Sequence, residues 1–288
     1  MQTMFFDVVR LYGARSLKRL GRGLHGISER LEAMNLLTKE ERAILSRNGV
    51  FKNKHKGKRA FVIVNGPSLK GQDIGCLKNE ITFAVAGFWK HPAVALWQPT
   101  YYSICDPAFF TDGPGIREFF QELNTKVPNS TFFLPLFRGL EANRKYGLLN
   151  PDRTHYVAAY GDPTPTVELT SLVQGFQSVS TFSLAQAIYM GCNPIYLLGF
   201  DHDFLAHRGI DHHFYAGCAI KGHRNESVPL SDRAPYDRDM EDMLKLWGNY
   251  RSLKSVAEAA GIRILNATDG GYLDVFERQN YAELVFTQ

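Results

Sequence analysis

From residue 60 onward, apolar residues fall into short runs separated by polar and turn-forming residues, and these runs predict β-strands. A short, nearly unbroken apolar run is typical of a strand that is covered on both faces of a sheet. The predicted strands are 60–64, 81–86, 101–105, 131–134, 195–200 and 262–265.

Amphipathic patterns with helical spacing lie between some of these runs, at 116–123, 181–190 and 237–260. Gly191 and Gly261 each follow such a pattern and precede a strand, as glycine does where it ends a helix. Alternation of strands and helices predicts an α/β protein with a Rossmann-like, mainly parallel sheet and helices on both faces. The stretch from about 202 to 236 is too long for an ordinary loop and predicts a lid.

The N-terminal 57 residues form a different pattern, which predicts a helical extension of a domain at 58–288. Within residues 1–24, apolar positions recur at helical spacing and Arg and Lys fill the opposite side. Such a helix either packs on the domain or a second subunit, giving a homo-oligomer, or contacts an anionic membrane surface. Residues 52–59 read as a solvated connector.

Charge is divided unevenly along the chain. The formal net charge is +4, but residues 1–58 hold 13 Lys and Arg against 5 Asp and Glu, so the remainder is acidic. We therefore expect no nucleic-acid surface on the domain. No apolar stretch is long enough to span a bilayer and no signal peptide is evident, which predicts a cytoplasmic protein, peripheral at the inner face of the membrane if the extension binds lipid.

Cysteine spacing gives no sign of a disulfide framework or a thiolate metal site, because no Cys-x-x-Cys pair occurs. We predict that all four cysteines are buried thiols. They are Cys76, Cys105, Cys192 and Cys218.

The first predicted strand leads directly into Asn65, Gly66, Pro67 and Ser68. This places the turn at the carboxyl edge of the sheet, where open α/β folds bind ligands. Gly66 would let the backbone approach a ligand, Pro67 would stiffen the turn, and Asn65 and Ser68 would bond ribose or phosphate oxygens. The alternative is a tight turn in which Ser68 caps the next helix.

A second polar group, Asp201-His202-Asp203, follows the strand predicted at 195–200. Asp201 and Asp203 could hold Mg²⁺ or Mn²⁺ against a diphosphate. Alternatively, Asp201 caps a turn and Asp203 is solvated.

Five of the nine histidines lie in the predicted lid, and histidine can accept a proton near pH 7. The alternatives are exposed loop imidazoles or, with less support from the spacing, a zinc site. The five are His202, His207, His212, His213 and His223.

Residues 58–69 resemble the opening of bacterial sialyltransferases of glycosyltransferase family 42 and of the broader 6-hydroxymethylpterin diphosphokinase MptE-like family of surface-polysaccharide pathways. Residues 186–191 followed by 195–201 are similar to the helix, glycine, strand and Gly-x-Asp order of both families. Residues 261–268 and 273–276 resemble their closing strand and loop.

The resemblance implies a glycosyltransferase that uses a CMP-linked nucleotide sugar, such as CMP-sialic acid, and a glycan or lipid-linked acceptor, with no required metal. It implies nucleotide contacts along the carboxyl edge of the sheet. The residues concerned are Asn65, Gly66, Pro67, Ser68, Asp106, Ser178, Ser180, Thr181 and Asp201.

By the same resemblance, His213 or His223 would be the general base on the acceptor hydroxyl. Tyr215, Lys221 or Arg224 would stabilise the departing phosphate. The MptE-like alternative is a phosphotransferase with Mg²⁺ or Mn²⁺ on Asp201 and Asp203. A third hypothesis is a non-catalytic nucleotide-binding scaffold docked through the basic extension.

The sequence departs from the sialyltransferase pattern after the second strand, where that family has a nucleotide-binding Asn and this chain has Ala86. Losing one hydrogen-bonding side chain costs about 0.5–1.5 kcal/mol. The departure therefore predicts weaker donor binding, or a different mode of binding.

Overall fold

The computed structural model describes residues 36–161, 166–207, 212–216 and 235–286. Two compact units make up the chain, Met1–Ala43 and Ile44–Gln288. The amphipathic helix predicted within residues 1–24 lies outside the described residues, as do Lys221, His223 and Arg224. Helix α1 (Lys39–Ser46) begins with a capping box, in which the Thr38 hydroxyl accepts from Glu41 N and the Glu41 carboxylate accepts from Thr38 N.

A sheet of nine parallel strands forms the centre of the second unit, counted over the described residues. Its order is β6-β5-β4-β3-β2-β1-β7-β8-β9. The strands are β1 (Ala60–Ile63), β2 (Ile81–Val85), β3 (Tyr101–Ser103), β4 (Thr131–Pro135), β5 (Thr154–Ala159), β6 (Leu172–Val173), β7 (Ile195–Leu198), β8 (Ile264–Asn266) and β9 (Glu277–Arg278).

Helices accompany the sheet as expected for an α/β fold. They are α2 (Pro114–Lys126), α3 (Leu136–Tyr146), α4 (Val179–Tyr189), α5 (Tyr236–Ala259) and α6 (Tyr281–Phe286). Helix α4 packs across β1, β2 and β3, and α5 packs on α4. Every residue of β1 is buried, so this central strand is covered on both faces. The predicted Rossmann-like fold class is confirmed.

All six strands and three helices predicted from the apolar pattern are present, with ends shifted by at most three residues. Gly191 and Gly261 have φ values of 72° and 71°, the left-handed conformation expected beyond a helix end. The pattern did not predict β5, β6, β9, α1, α3 or α6. Strand β5 contains Thr154 and His155, and therefore lacks the unbroken apolar run that marks the other central strands.

Residues 52–58 differ from the expected connector, although their side chains are largely exposed. The backbone amides of Asn53, His55 and Gly57 donate to the last carbonyls of α4 and its cap, at Tyr189, Met190 and Gly191. The segment is thus fixed to the amino edge of the sheet. The sequence suggested that the basic charge belongs to a separate arm. Much of that charge lies instead at the start of the second unit, because residues 44–58 include five Lys and Arg and no acidic residue.

The prediction of buried thiols is wrong for Cys76, which is exposed. Its residue belongs to the short turn Gly75–Asn79 on the surface rather than to a strand. Cys192 is buried as predicted and Cys105 is half-buried, and all three are free thiols, whereas Cys218 lies outside the described residues.

Among the described residues, no helix is both long enough and apolar enough to cross a membrane.

His155 makes the stability of this fold depend on pH. Its ring packs edge-on against Phe51 with centroids 4.6 Å apart, and burial, followed by the charges of Arg47 and Lys54, lowers the pKa of His155 to about 4. The unfolded chain therefore binds a proton that the folded chain does not between about pH 6.5 and pH 4. Stability from this residue is present above that window and is lost as the pH falls through it.

We expect His155→Phe, which keeps an aromatic ring beside Phe51, to flatten the pH dependence of unfolding. The free energy of unfolding from urea titrations should fall less steeply between pH 6.5 and pH 4, by up to about 1.4 kcal/mol per pH unit. The two proteins should have similar stability at pH 8. An unchanged slope in the variant would contradict the assignment.

Candidate functional site

The carboxyl edge of the sheet at β1 and β7 is where the strand order reverses. The chain adds strands outward from β1 to β6 and then returns to place β7 on the other side of β1. In open α/β sheets, such a reversal opens a crevice between the loops that follow the two strands. Here those loops carry Asn65 to Ser68 after β1 and Asp201 after β7.

Asp201 joins these two loops directly. Its two carboxylate oxygens accept from Ser68 N at 3.0 Å and from the Ser68 hydroxyl at 2.8 Å. Asp201 is only 6% exposed, and burial raises the pKa of its carboxyl group, against the two Ser68 hydrogen bonds, which lower it. Asp201 therefore holds the turn Pro67–Lys70 against the loop after β7, and we call this contact the clamp.

Gly66 has no room for a side chain because of Asp201. A Cβ at position 66 would lie 1.7 Å from Asp201 Oδ2 and 2.2 Å from the Gly199 carbonyl oxygen. The predicted approach of a nucleotide to this glycine stays a prediction. Ser68 keeps an acceptor lone pair for a ligand, but its hydroxyl proton is used by Asp201.

Asp203, the second predicted metal ligand, lies 3.1 Å from His207 Nδ1 through its Oδ2 atom. Within the part of the chain that the structure describes, no group of three or more His, Cys, Asp or Glu could hold a metal ion. A diphosphate-bound Mg²⁺ can be held by only one or two carboxylates. Metal binding by Asp201 and Asp203 therefore stays a prediction.

Asn65 is buried at the end of β1, with 6% of its surface exposed. Its side-chain amide donates to the Val85 carbonyl oxygen at 3.3 Å, but its Oδ1 has no partner among the described residues. A buried acceptor left without a donor costs about 1–3 kcal/mol. Such an atom is a natural acceptor for a donor group on a ligand.

Residues 212–216, the lid segment, lie over this asparagine. The amide of Phe214 donates to the Asn65 carbonyl oxygen at 2.8 Å, and the Phe214 ring contacts His91 edge-on at 5.0 Å. Phe88 also contacts the Phe214 ring, at 6.3 Å. Phe214 therefore anchors the lid segment to the loops after β1 and β2.

The anchor places two predicted catalytic residues at the same edge. A Cβ at Gly87 would lie 2.5 Å from the Tyr215 hydroxyl, so the glycine leaves room for that phenol. Lys90 Nζ lies 4.7 Å from the centre of the Tyr215 ring. The His213 ring stacks on the Tyr215 ring, with centroids 5.0 Å apart and planes inclined by 7°.

Ala86 has a φ of 45°, the left-handed conformation that asparagine and glycine tolerate best. Its carbonyl oxygen accepts from the Tyr102 hydroxyl at 2.7 Å, which holds this conformation. An asparagine would adopt this backbone conformation more readily than alanine does.

The first turn of α4 is rich in hydroxyl groups, as predicted. Ser178 caps the helix, and its Oγ accepts from Ser180 N at 3.2 Å. The Thr181 hydroxyl donates to the Ser178 carbonyl oxygen at 2.8 Å, and Thr181 is wholly buried.

Two further residues complete this end of α4: His202, one of the five histidines of the predicted lid, and Tyr250, which the sequence did not single out. The Tyr250 hydroxyl lies 2.5 Å from Ser180 Oγ and 2.7 Å from His202 Nε2. We call Ser178, Ser180, Tyr250 and His202 the hydroxyl network. Tyr250 could be read from sequence only as part of the apolar face of α5, because its partners lie 48 and 70 residues away.

Asp106, the remaining predicted nucleotide contact, is exposed after β3. Its carboxylate accepts from Ala108 N at 2.9 Å and caps the turn Pro107–Phe110. All nine predicted nucleotide contacts stay predictions, and they are Asn65, Gly66, Pro67, Ser68, Asp106, Ser178, Ser180, Thr181 and Asp201. The predicted roles of Lys221, His223 and Arg224 fall outside the described residues.

No protein-family model matches the chain, and no curated protein matches it. Among solved structures, one similar chain is the MAf glycosyltransferase from Magnetospirillum magneticum AMB-1, with 13% identity and a TM-score of 0.48. The match covers 85% of this chain but 38% of the other, so this chain spans well under half the length of that protein.

Two further similar structures are sialyltransferases. One is CstII from Campylobacter jejuni with the substrate analogue CMP-3FNeuAc, with 14% identity, a TM-score of 0.43 and coverage of 77% of this chain and 85% of the other. The second is CST-II with a trisaccharide acceptor and CMP, with 13% identity, a TM-score of 0.44 and coverage of 76% and 85%. Likenesses at this level carry no assignment of substrate or of residue roles.

If Asp201 is a clamp, neutralising Asp201 and neutralising Asp203 should have unequal effects on stability. Asp201→Asn should lower the free energy of unfolding by about 2 kcal/mol, because it removes a charged acceptor from two hydrogen bonds in a buried position. Asp203→Asn is the matched control and should cost less than about 1 kcal/mol, since its contact with His207 is partly solvated. Urea unfolding at pH 7 measures both, and equal losses would show that Asp201 is not a clamp.

Proposed function

We propose that the protein is a glycosyltransferase that uses a nucleotide-activated sugar, with a CMP-linked sugar as donor and a glycan or lipid-linked hydroxyl as acceptor. The observation that carries this proposal is the anchoring of the lid segment. The Phe214 amide on the Asn65 carbonyl places His213 and Tyr215 at the carboxyl edge, beside the reversal of strand order. The donor class comes from the sequence resemblance of residues 58–69.

Two groups at this edge suit the two ends of a nucleotide. The unpartnered Asn65 Oδ1 accepts a hydrogen bond from a ribose hydroxyl or a base amino group. The first turn of α4, a helix of 11 residues, offers amides and serine hydroxyls to a phosphate. Helix α4 ends just before β7 begins, so its first turn lies toward the carboxyl ends of the strands, the same edge as Asn65.

His213 is the proposed general base. Its imidazole takes the proton from the acceptor hydroxyl as the acceptor oxygen forms a bond to the anomeric carbon. The bond between that carbon and the phosphate oxygen breaks, and its electron pair leaves with the nucleoside monophosphate. The charge that develops on the phosphate is stabilised by the Tyr215 hydroxyl and the Lys90 ammonium group. Tyr215, on the lid segment, lies beside Gly87 and Lys90 of the loop after β2.

The MptE-like alternative is metal-assisted phosphoryl transfer, with Asp201 and Asp203 as metal ligands. Each of these carboxylates already has a protein partner, Ser68 for Asp201 and His207 for Asp203, which is the support for the metal-free chemistry. A transferase that releases a monophosphate requires only hydrogen-bond donors and positive charge at the leaving group.

Turnover of a CMP-linked sugar by His213 variants tests the proposal. In His213→Gln we expect kcat for transfer to fall by about 10²- to 10⁴-fold, the usual contribution of a general base, while CMP affinity measured by calorimetry stays within about threefold. His212→Gln is the matched control, because the His212 ring contacts Phe204 at 5.9 Å instead of Tyr215. EDTA should not change CMP affinity in any of the three proteins.

Absence of CMP binding to the unmodified protein would overturn the donor assignment. Equal turnover in the unmodified protein and His213→Gln would overturn the assignment of the base. CMP affinity that disappears with EDTA would favour the metal-dependent phosphotransferase.

A further inference from the structure

Strand β2 leads into the short turn Ala86–Lys90, which we call the β2 turn. Tyr102, in the neighbouring strand β3, makes two hydrogen bonds to it. Its hydroxyl accepts from Trp89 N at 2.9 Å and donates to the Ala86 carbonyl oxygen at 2.7 Å. A backbone amide can only donate and a carbonyl can only accept, so the directions of both bonds are fixed. One phenol thus joins the first and fourth residues of the turn.

The β2 turn needs this support because Ala86 is left-handed, with a φ of 45°. Alanine seldom adopts that conformation, since its Cβ crowds the backbone there. Tyr102 is wholly buried, so solvent does not compete for either of its hydrogen bonds. Burial also raises the pKa of Tyr102 well above its ordinary value, against the hydrogen bond from Trp89 N, which lowers it. The phenol therefore keeps the proton that it donates to Ala86.

Two residues of the β2 turn lie against Tyr215 of the lid segment. Gly87 leaves room for the Tyr215 hydroxyl, since a Cβ there would lie 2.5 Å from that oxygen. Lys90 Nζ lies 4.7 Å from the centre of the Tyr215 ring. A change of φ at Ala86 redirects the chain that follows it. Gly87 and Lys90 would then no longer hold these positions.

The same turn is joined to the buried asparagine at the end of β1. Asn65 Nδ2 donates to the carbonyl oxygen of Val85, the residue just before Ala86, at 3.3 Å. Asn65 Oδ1 is the buried acceptor that has no partner among the described residues. The turn that Tyr102 holds therefore lies next to the atom that most clearly calls for a ligand.

We propose that Tyr102 is a positioning residue for the transfer reaction. By holding Ala86 in its left-handed conformation, it places Lys90 and the space for the Tyr215 hydroxyl where the two groups stabilise the departing phosphate. The inference rests on the proposed function, because the roles of Lys90 and Tyr215 come from it. Tyr102 acts only through the β2 turn, since its own side chain is buried.

Tyr102→Phe removes the hydroxyl and keeps the ring. Charge on the leaving phosphate develops only in the transition state, so a displaced Lys90 and Tyr215 should affect kcat more than KM. We expect kcat for transfer from a CMP-linked sugar to fall about 10- to 100-fold, as a displacement of about 1 Å can cause. The KM for the donor should stay within about threefold. A raised KM with an unchanged kcat would contradict the inference.

Ala86→Gly tests whether Tyr102 acts through the backbone of residue 86. Glycine adopts the left-handed conformation without a steric penalty, so the turn should depend less on the Tyr102 hydroxyl. Adding Tyr102→Phe to Ala86→Gly should therefore lower kcat by less than about threefold relative to Ala86→Gly alone. An equal loss of kcat in both backgrounds would overturn the inference, because a general loss of packing predicts additive effects.

Tyr101→Phe is the matched control. Tyr101 is the adjacent residue of β3 and is also buried, but its hydroxyl lies 2.7 Å from His55 Nε2, at the amino edge of the sheet. The variant loses a hydrogen bond of the same kind and should keep kcat within about threefold. Thermal unfolding of each variant ensures that every assay is run well below its midpoint. A fall in kcat equal to that of Tyr102→Phe would show a general loosening of the sheet.

The outcomes separate this inference from the proposed function. If the unmodified protein transfers no sugar from a CMP-linked donor, the proposed function is wrong and the inference falls with it. If the unmodified protein is active and Tyr102→Phe keeps its kcat, the function stands and the positioning role is wrong.

Discussion

The Asp201 carboxylate is the contact on which the architecture of the site depends. Parallel strands β1 and β7 are paired along their length, and backbone hydrogen bonds continue this pairing as far as Gly66 and Gly199. Beyond that point, Asp201 accepts from both the amide and the hydroxyl of Ser68 and so joins the two loops. Gly66 lacks a side chain because the carboxylate occupies that space. Everything at the carboxyl edge is built around this clamp.

Two groups of residues meet beside the clamp, and each is held by contacts far apart in sequence. On one side, Phe214 brings the lid segment to Asn65, so that His213 and Tyr215 lie near the loop after β2. On the other, His202, which follows Asp201 directly, connects through Tyr250 to the first turn of α4. A ligand between the two groups would meet a proton acceptor, His213, on the lid and the hydroxyl network at the first turn of α4.

The sequence predicted the fold better than the site. Strands and helices are marked by residues that are neighbours in sequence, whereas the site is built from contacts between residues far apart in sequence. Strands such as β1 and β7 are apolar throughout, and burial on both faces leaves that mark on every residue. The turn after β1 could be located for the same reason, since it follows the strand directly. Strand β5 was missed because His155 interrupts its apolar run while still packing against Phe51.

The contacts of the site have no local signature. Ser68 and Asp201 are 133 residues apart, and nothing around either residue indicates that they pair. The sequence therefore left Asp201 open between a cap on the turn after it, a metal ligand and a nucleotide contact, and it did not predict the hydrogen bonds to Ser68. Tyr250 and Phe214 resemble ordinary core residues until their partners are known. The left-handed backbone at Ala86 is equally invisible, because alanine seldom adopts it.

The most direct measurement of the central claim is a crystal structure of the complex with CMP. The account predicts that the phosphate lies within hydrogen-bonding distance of the first turn of α4 and that a ribose or base donor reaches Asn65 Oδ1, with Asp201 still bonded to Ser68. Nucleotide bound at another edge of the sheet, or Asn65 Oδ1 left without a partner in the complex, would contradict it.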